Sequence, residues 1–346
     1  MKKTIFVTGG AGYIGVHTLV CLLDAGHRVL VLDDFSNSSQ LALARVEKIT
    51  GADVPFVRGD VRDMGILKRL FAECAEKGEP VSCVLHFAAL KAVGESVSHP
   101  LRYYDVNVTG TLNLLAAMHT AGIRQMVFSS SATVYRPASD LPYTEQHAIG
   151  PSNPYGQTKA MVEQILRDHC EANPDFAGIA LRYFNPIGAH GSGQIGDQPL
   201  GIPNNLFPYI TRAAIGSLPV LPVFGTDYPT VDGSGVRDYI HVSDLAAGHV
   251  KAVDWASEND VRGFHSFNLG TGRGTSVLQL IQTFEATNGV SVPFEVRGRR
   301  NGDIAEAWAD VSAANRILKW SAMHSIEDMC RDGWNWQQKN PDGYVE

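Results

Sequence analysis

The sequence predicts an α/β protein: a doubly wound parallel sheet with a smaller α+β lobe toward the C-terminus. Three observations predict it. Short β-rich runs alternate with helical patterns through the first half of the chain. Those runs are continuously apolar, as expected when both faces of a parallel sheet are covered. After about residue 186 the alternation gives way to Gly, Pro and Asn crowded into 186–208 and again into 219–235, a composition of long loops around a pocket. A chain of 346 residues with 44% hydrophobic residues has the length for roughly two domains and the apolar content for a large core.

The strands expected in order are Thr4–Thr8, Arg28–Asp33, Pro55–Arg58, Ser82–Ala88, Gln125–Ser130 and Gly178–Tyr183. Helical patterns occupy Ile14–Ala25, Met64–Lys77, Leu101–Ala121 and Tyr155–Ala172 between them. This is a βαβ series with right-handed crossovers. Beyond residue 186 only Tyr239–Val253 reads clearly, as a short strand leading into a helix.

Composition narrows the function classes. A net charge of -7 with scattered cations, apart from Arg297, Arg299 and Arg300, gives no footprint for nucleic acid. Only five residues separate Met1-Lys2-Lys3 from the first glycines, and no later stretch suggests a membrane span, so a cytoplasmic protein is expected. Cys21, Cys74, Cys83, Cys170 and Cys330 are widely spaced with no C-x-x-C and read as reduced thiols. The 12 His show no H-x-x-x-H or H-E-x-x-H. His17, His86 and His241 stand singly in apolar elements and read as structural, so no metal is expected.

The first strand runs into Gly9-Gly10-Ala11-Gly12-Tyr13-Ile14-Gly15, the dinucleotide-binding (Rossmann) fingerprint. Gly9, Gly12 and Gly15 serve a tight turn, close approach of backbone to a pyrophosphate, and helix packing. The second strand ends in Asp33, where a carboxylate accepts from ribose hydroxyls and repels a 2′-phosphate, which favours NAD over NADP. Asp34 is the alternative, with Asn37 and Ser38 as neutral donors. Asp60-Val61 at the third strand's end can address the adenine amine or be an ordinary solvated turn. Small residues in Phe87-Ala88-Ala89 let a ligand cross the sheet's carboxyl edge.

The fifth strand ends in Ser129-Ser130-Ser131, and Tyr155 and Lys159 share one face of the helix that follows. A lysine cation and a positive nicotinamide favour phenolate over the phenol's usual pKa of about 10, so Tyr155 reads as a base toward a sugar hydroxyl. Ser131 can hydrogen-bond the reacting oxygen or simply cap backbone.

These residues, with Leu90-Lys91-Ala92-Val93-Gly94-Glu95-Ser96-Val97, Ser131-Ala132-Thr133-Val134-Tyr135, Arg182-Tyr183-Phe184-Asn185, Gly235–Val242 and Gly333-Trp334-Asn335-Trp336, carry a resemblance over nearly the whole chain. The sequence resembles the extended short-chain dehydrogenase/reductase superfamily and, within it, the UDP-glucose (UDP-galactose) 4-epimerase family. That resemblance implies transient oxidation at C4 of a UDP-hexose by tightly bound NAD, with Tyr155 as base, Lys159 as its partner and Ser131 as hydroxyl relay. It implies NAD contacts from Tyr13, Ile14, Asp33, Asn37, Ser38, Asp60, Val61, Phe87, Ala88, Lys91, Asn107, Tyr155, Lys159 and Phe184. For the UDP-sugar it implies Asn185, Asn204, Asn205, Leu206, Arg237 and Arg300 with Asp303 nearby, and Lys91 at the same site. Guanidinium forks suit diphosphate oxygens, although a lobe-bridging ion pair is the plain alternative for either arginine. Ala307 falls where the family's gate faces the sugar C2 group; a small residue there leaves room for an acetamido group and implies action on UDP-GlcNAc and UDP-GalNAc as well. The plain alternative is an alanine with no sugar contact.

Arg136 departs from the family's usual Gly. Sugar-nucleotide dehydratases and decarboxylases place acids where this chain has Ala132 and Thr133, which disfavours elimination. A UDP-glucuronate 4-epimerase and a catalytically silent NAD-binding regulator are the remaining readings. The resemblance further implies a homodimer through Leu101–Ala121 and Tyr155–Ala172. The expected division is an NAD-binding domain over 1–185 and a UDP-sugar lobe over 186–346, with 236–255 returning to the first. Because both ligands are anionic, Arg237, Arg300, Lys159 and the glycine-rich helix terminus are expected to make a locally positive site in an acidic protein.

Overall fold

The structure, a computed structural model, describes residues 3–199, 203, 205–300 and 302–345. In chain order its elements are β1 (Thr4–Thr8), α1 (Tyr13–Asp24), β2 (Arg28–Asp33), α2 (Gln40–Thr50), β3 (Phe56–Arg58), α3 (Met64–Glu76), β4 (Val81–His86), α4 (Val93–Ser98), α5 (Pro100–Tyr104), α6 (Gly110–Ala121), β5 (Gln125–Ser131), α7 (Pro154–Ala172) and β6 (Ala177–Tyr183). There follow β7 (Asn185–Ile187), α8 (Leu206–Ala214), β8 (Leu221–Phe224), β9 (Val236–Arg237), β10 (Tyr239–His241), α9 (Val242–Glu258), β11 (Gly263–Leu269), β12 (Thr275–Ser276), α10 (Val277–Asn288), β13 (Phe294–Arg297), β14 (Glu306–Ala307) and α11 (Ile326–Lys339).

Seven strands form the main sheet in the order β11-β6-β5-β4-β1-β2-β3. From β3 to β5 the neighbours pair in parallel. The order reverses between β1 and β4, the switch point at which doubly wound sheets bind ligands beyond their carboxyl ends. β1 is buried at every residue because it is covered on both faces. β3, at the sheet's end, is largely exposed, unlike the two-sided burial expected of a central strand.

Two compact units are distinguished. The first comprises Met1–Arg136, Ala148–Arg182 and Ala246–Phe267; the second comprises Pro137–His147, Tyr183–Leu245 and Asn268–Glu346. The first has a core of Phe6, Leu32, Leu67, Phe71, Val84, Leu114, Phe128 and Leu166 between sheet and helices. The second has its own core, where Phe207, Ile210, Phe284 and Trp334 from α8, α10 and α11 meet Leu221, Val223 and Tyr239.

The continuous helix expected over Leu101–Ala121 is instead broken: α5, a π-helical turn over Asp105–Thr109, then α6. The wider turn lets the Asn107 amide face Leu90, accepting from its N–H at 2.8 Å and donating to its carbonyl at 3.0 Å. Gly110 completes the break, since a Cβ there would lie 2.6 Å from Val61 Cγ1.

Candidate active site

In the first unit the carboxyl ends of β1, β4 and β5 share one sheet edge, and the predicted cofactor residues lie on this unit except for Phe184, which belongs to the second. Gly9 has φ +70°, and a Cβ on it would strike the Ala88 backbone nitrogen at 2.6 Å. A Cβ on Gly15 would lie 2.6 Å from the Gly9 carbonyl. Both glycines are demanded by the protein itself. Gly12, the N-cap of α1, is different: a Cβ there meets only the Gly9 carbonyl at 3.4 Å, so the chain leaves that space open at a helix N-terminus, where a pyrophosphate fits.

Asp33 lies against this turn. It accepts from Ala11 N–H at 2.9 Å, Phe35 N–H at 3.0 Å and Ser38 Oγ at 2.8 Å, leaving acceptor capacity for a ribose hydroxyl; burial pushes its pKa up against these donors. Asp34 turns outward into a local turn with Ser36, and Asn37 is exposed. Asp60 is held by Arg62, whose guanidinium keeps the carboxyl below its usual range against a partial desolvation. Val61 is buried. Phe87 and Ala88 bond back to the Thr8 carbonyl at 2.9 and 3.1 Å, Lys91 is exposed and Tyr13 half-buried. Asn107 is committed to Leu90 and Thr158, so it fixes the loop that carries Lys91.

Tyr155 and Lys159 lie on α7, which starts with Asn153 accepting from Gly156 N–H at 2.9 Å and Pro154 at its first position. Lys159 Nζ donates to the Ser129 carbonyl at 2.7 Å and stands 4.8 Å from the Phe128 ring centre and 5.8 Å from that of Tyr155. Burial pulls the amine down to about 7. Ser131 Oγ accepts from Thr133 N–H at 3.2 Å and Thr133 Oγ1 at 3.0 Å; it caps the short helix Ala132–Val134 and still has its own proton to donate. His86 spans Thr8 Oγ1 at 2.7 Å and Thr111 Oγ1 at 2.9 Å. Burial, then the Lys159 charge, drives its pKa down to about 3, so it stays neutral.

In the second unit β9 is flanked by β14 in parallel and β12 in antiparallel pairing, and Ala307 pairs with Arg237. Arg237 Nη1 donates to the Val236 carbonyl at 2.8 Å, and Nη2 lies 3.7 Å from Asp303. Arg300 Nε donates to the same Asp303 at 3.0 Å and lies 4.8 Å from the Phe224 ring centre. Arg237, Arg300, Asp303 and Ala307 therefore come together, with a net positive charge fit for a diphosphate. Asn185 joins them through β7, its N–H donating to the Asp238 carbonyl at 3.0 Å. Phe184 is buried, Leu206 packs partly into the second core, and Asn205 is the exposed N-cap of α8. Asn204 lies outside the described residues.

Comparison with known proteins matches this arrangement to a family. A family model described as GDP-mannose 4,6 dehydratase matches residues 6–333. The UDP-glucose 4-epimerase of Erwinia amylovora is 52% identical over 341 residues, covering 98% of this chain and 99% of that protein. The chain belongs to the UDP-glucose 4-epimerase family. The crystal structure of the family's Bifidobacterium longum enzyme in complex with NAD+ and UDP superimposes with a TM-score of 0.94 at 49% identity, covering 99% of this chain and 100% of that one. The UDP-Glc/GlcNAc 4-epimerase of Campylobacter jejuni matches with a TM-score of 0.83 at 34% identity, covering 97% and 99%.

In this member of the epimerase family, sequence reasoning does not reach Asp238. It is fully buried and accepts from Thr271 N–H at 2.8 Å, Thr271 Oγ1 at 2.7 Å, Gly272 N–H at 3.0 Å and Ala309 N–H at 3.2 Å. Its own N–H donates to the Ala307 carbonyl at 3.0 Å. Asp238 thus ties the strand of Ala307 to that of Arg237. Its signal in the sequence is its place beside Arg237 in the Gly235–Val242 stretch, which gives it no role. Phe224 is also unanticipated; its ring faces the Arg300 guanidinium. Among the described residues no group of three or more His, Cys, Asp or Glu can hold a metal ion, and no helix is long and apolar enough to cross a membrane.

Proposed function

We propose that this chain interconverts UDP-glucose and UDP-galactose by inverting C4 of the hexose while NAD stays bound. NAD, when bound, supplies the acceptor for the C4 hydride and returns it. The observation that carries the reading is the grouping of Ser131, Tyr155 and Lys159 at the carboxyl edge of β5, in the same unit as the open cradle at Gly12. In this reading Tyr155 takes the O4 proton as the hydride leaves C4 and gives it back after the ring has turned. Lys159 favours the phenolate. Ser131 donates a hydrogen bond from its hydroxyl to the reacting oxygen and keeps its proton. Arg237 and Arg300 grip the diphosphate while the hexose is left free to rotate. Purified protein given UDP-galactose with no added NAD tests this: UDP-glucose should appear to equilibrium, and its absence from NAD-loaded protein would overturn the reading.

The acetamido sugars belong to the same proposal. Ala307 presents only a methyl group beside Arg237, and this supports turnover of UDP-GlcNAc and UDP-GalNAc. A homodimer is proposed on the exposed apolar side chains Val93, Val97, Leu101, Leu112 and Met161, which lie on α4 to α7 where water-facing polar residues are the norm. Sedimentation should give a dimer that Leu101→Asp weakens; a monomeric parent would remove it. We place the enzyme in the cytosol, where its thiols stay reduced. Burial pushes Cys83 and Cys330 up to about 12 and Cys170 up to about 11, so these three are inert.

A further inference from the structure

Behind the proposed reacting residues lies a buried ionic network that the chemistry described so far does not use. Glu163 follows Lys159 by one turn of α7, as Lys159 follows Tyr155, so the three share a stripe of the helix. The Arg182 side chain, on β6, is 1% exposed and that of Glu163 4%. Arg182 Nη2 donates to Glu163 Oε2 at 2.6 Å and Nε to Oε1 at 2.9 Å. Ser130 Oγ donates to Oε1 at 2.6 Å, and Arg182 Nη1 donates to the Tyr135 hydroxyl at 3.1 Å.

The consequence is mechanical. α7 is tied to the end of β5 at three levels. Gly156 allows close approach to the Thr133 carbonyl, 2.6 Å from where a Cβ would stand. Lys159 bonds the Ser129 carbonyl, and Glu163 takes the Ser130 hydroxyl. Arg182 extends the third tie to β6 and Tyr135, four residues beyond Ser131. Burying an arginine and a carboxylate is costly, and an apolar pair of similar volume commonly stabilises a fold as well or better. What the ionic pair adds is a fixed axial position for the helix, since a bidentate fork tolerates little sliding.

We propose that Glu163 and Arg182 are positioning residues that set the register of α7 on β5 and so hold Tyr155 and Lys159 against Ser131. The inference rests on the proposed role of Tyr155. Neither buried side chain is open to a ligand, so they act on turnover and not on sugar-nucleotide affinity. Misplacement of a reacting group by about 1 Å costs on the order of 100-fold in rate.

The test uses NAD-loaded protein and UDP-galactose, measuring kcat, KM and Tm for the parent, Glu163→Gln, the apolar pair Glu163→Met/Arg182→Met, Ser130→Ala and Tyr155→Phe. Glu163→Gln should lower kcat at least about 10-fold with KM within about twofold. The apolar pair should show the same loss although its Tm equals or exceeds the parent's, a combination that a purely stabilising role does not give. Should neither variant fold, Ser130→Ala decides, with an expected kcat loss of about 3-fold or more at a Tm only a few degrees below the parent's. Parental kcat in the folded apolar pair, or failing that in Ser130→Ala, overturns the proposal. Full turnover by Tyr155→Phe instead removes the reading on which it rests, so the two failures are distinct.

Discussion

Replacing Lys159 by Met in nucleotide-free protein tests the electrostatics of the site. Burial holds the amine at about 7 against an ordinary 10.5, a gap equivalent to about 5 kcal/mol at about 1.4 kcal/mol per pH unit. The folded amine loses its proton first, so between pH 7 and 10.5 the unfolded chain binds more protons and stability rises with pH; below pH 7 both states are charged and the whole penalty stands. Methionine removes that dependence, together with the pH-independent bond to the Ser129 carbonyl. With an unfolding entropy of about 0.7 kcal/mol/K for a chain of this length, the parent's Tm should rise relative to that of Lys159→Met by about 2 °C per pH unit. Thermal unfolding of both proteins from pH 7.5 to 10 should show a relative gain of about 5 °C. A difference that stays flat across that range refutes the argument, because the amine would then titrate alike in folded and unfolded chains.

Two further outcomes follow from the site. Gly12→Ala should fold with the parent's Tm when nucleotide-free yet purify without NAD, whereas Gly9→Ala should lose about 2–4 kcal/mol from its left-handed backbone and its clash with Ala88; absorbance of released nucleotide and thermal unfolding separate the two. Ala307→Tyr should cut UDP-GalNAc turnover at least about 100-fold while UDP-galactose stays within a few-fold, measured by product chromatography, and equal losses on both sugars would show that Ala307 does not gate C2.

Much of the fold could be read from the sequence because its signals are local. β1, β2, β4, β5 and β6 are apolar runs that only a two-sided sheet explains, and the glycine turn and the four-residue spacing of Tyr155 and Lys159 are visible without coordinates. α2 escaped despite its Ser39 cap and its left-handed Gly51, since only Ala42, Leu43 and Val46 of its eleven residues are buried. β11 escaped because its first four residues are only half-buried, and α10 because its capping box at Ser276 and Gln279 follows a glycine-rich stretch that reads as loop. The π-helical turn at Asp105–Thr109 depends on Leu90, and no local propensity announces it.

The site divides the same way. Residues whose chemistry shows in their own neighbourhood, such as Asp33 after a strand or Ser131 ending one, stand out in the sequence. Asp238 does not, because its four donors come from Thr271, Gly272 and Ala309, distant in the chain. Glu163 and Arg182 are likewise joined only by folding: Glu163 alone looks like an ordinary charge on an amphipathic helix, and Arg182 is a single cation near the end of an apolar strand. Ser131 makes one of its two expected contacts, capping Thr133, and its hydroxyl proton is left for the other.

The most direct test of the central claim, that Tyr155 moves the O4 proton, is steady-state conversion of UDP-galactose by Tyr155→Phe with its bound nucleotide quantified. The ring and its packing are retained and only the hydroxyl is lost. General acid–base catalysis contributes about 100- to 10,000-fold, so kcat should fall within that range while NAD content matches the parent and KM changes little. A fully NAD-loaded Tyr155→Phe protein that keeps more than about a tenth of the parent's kcat contradicts the account.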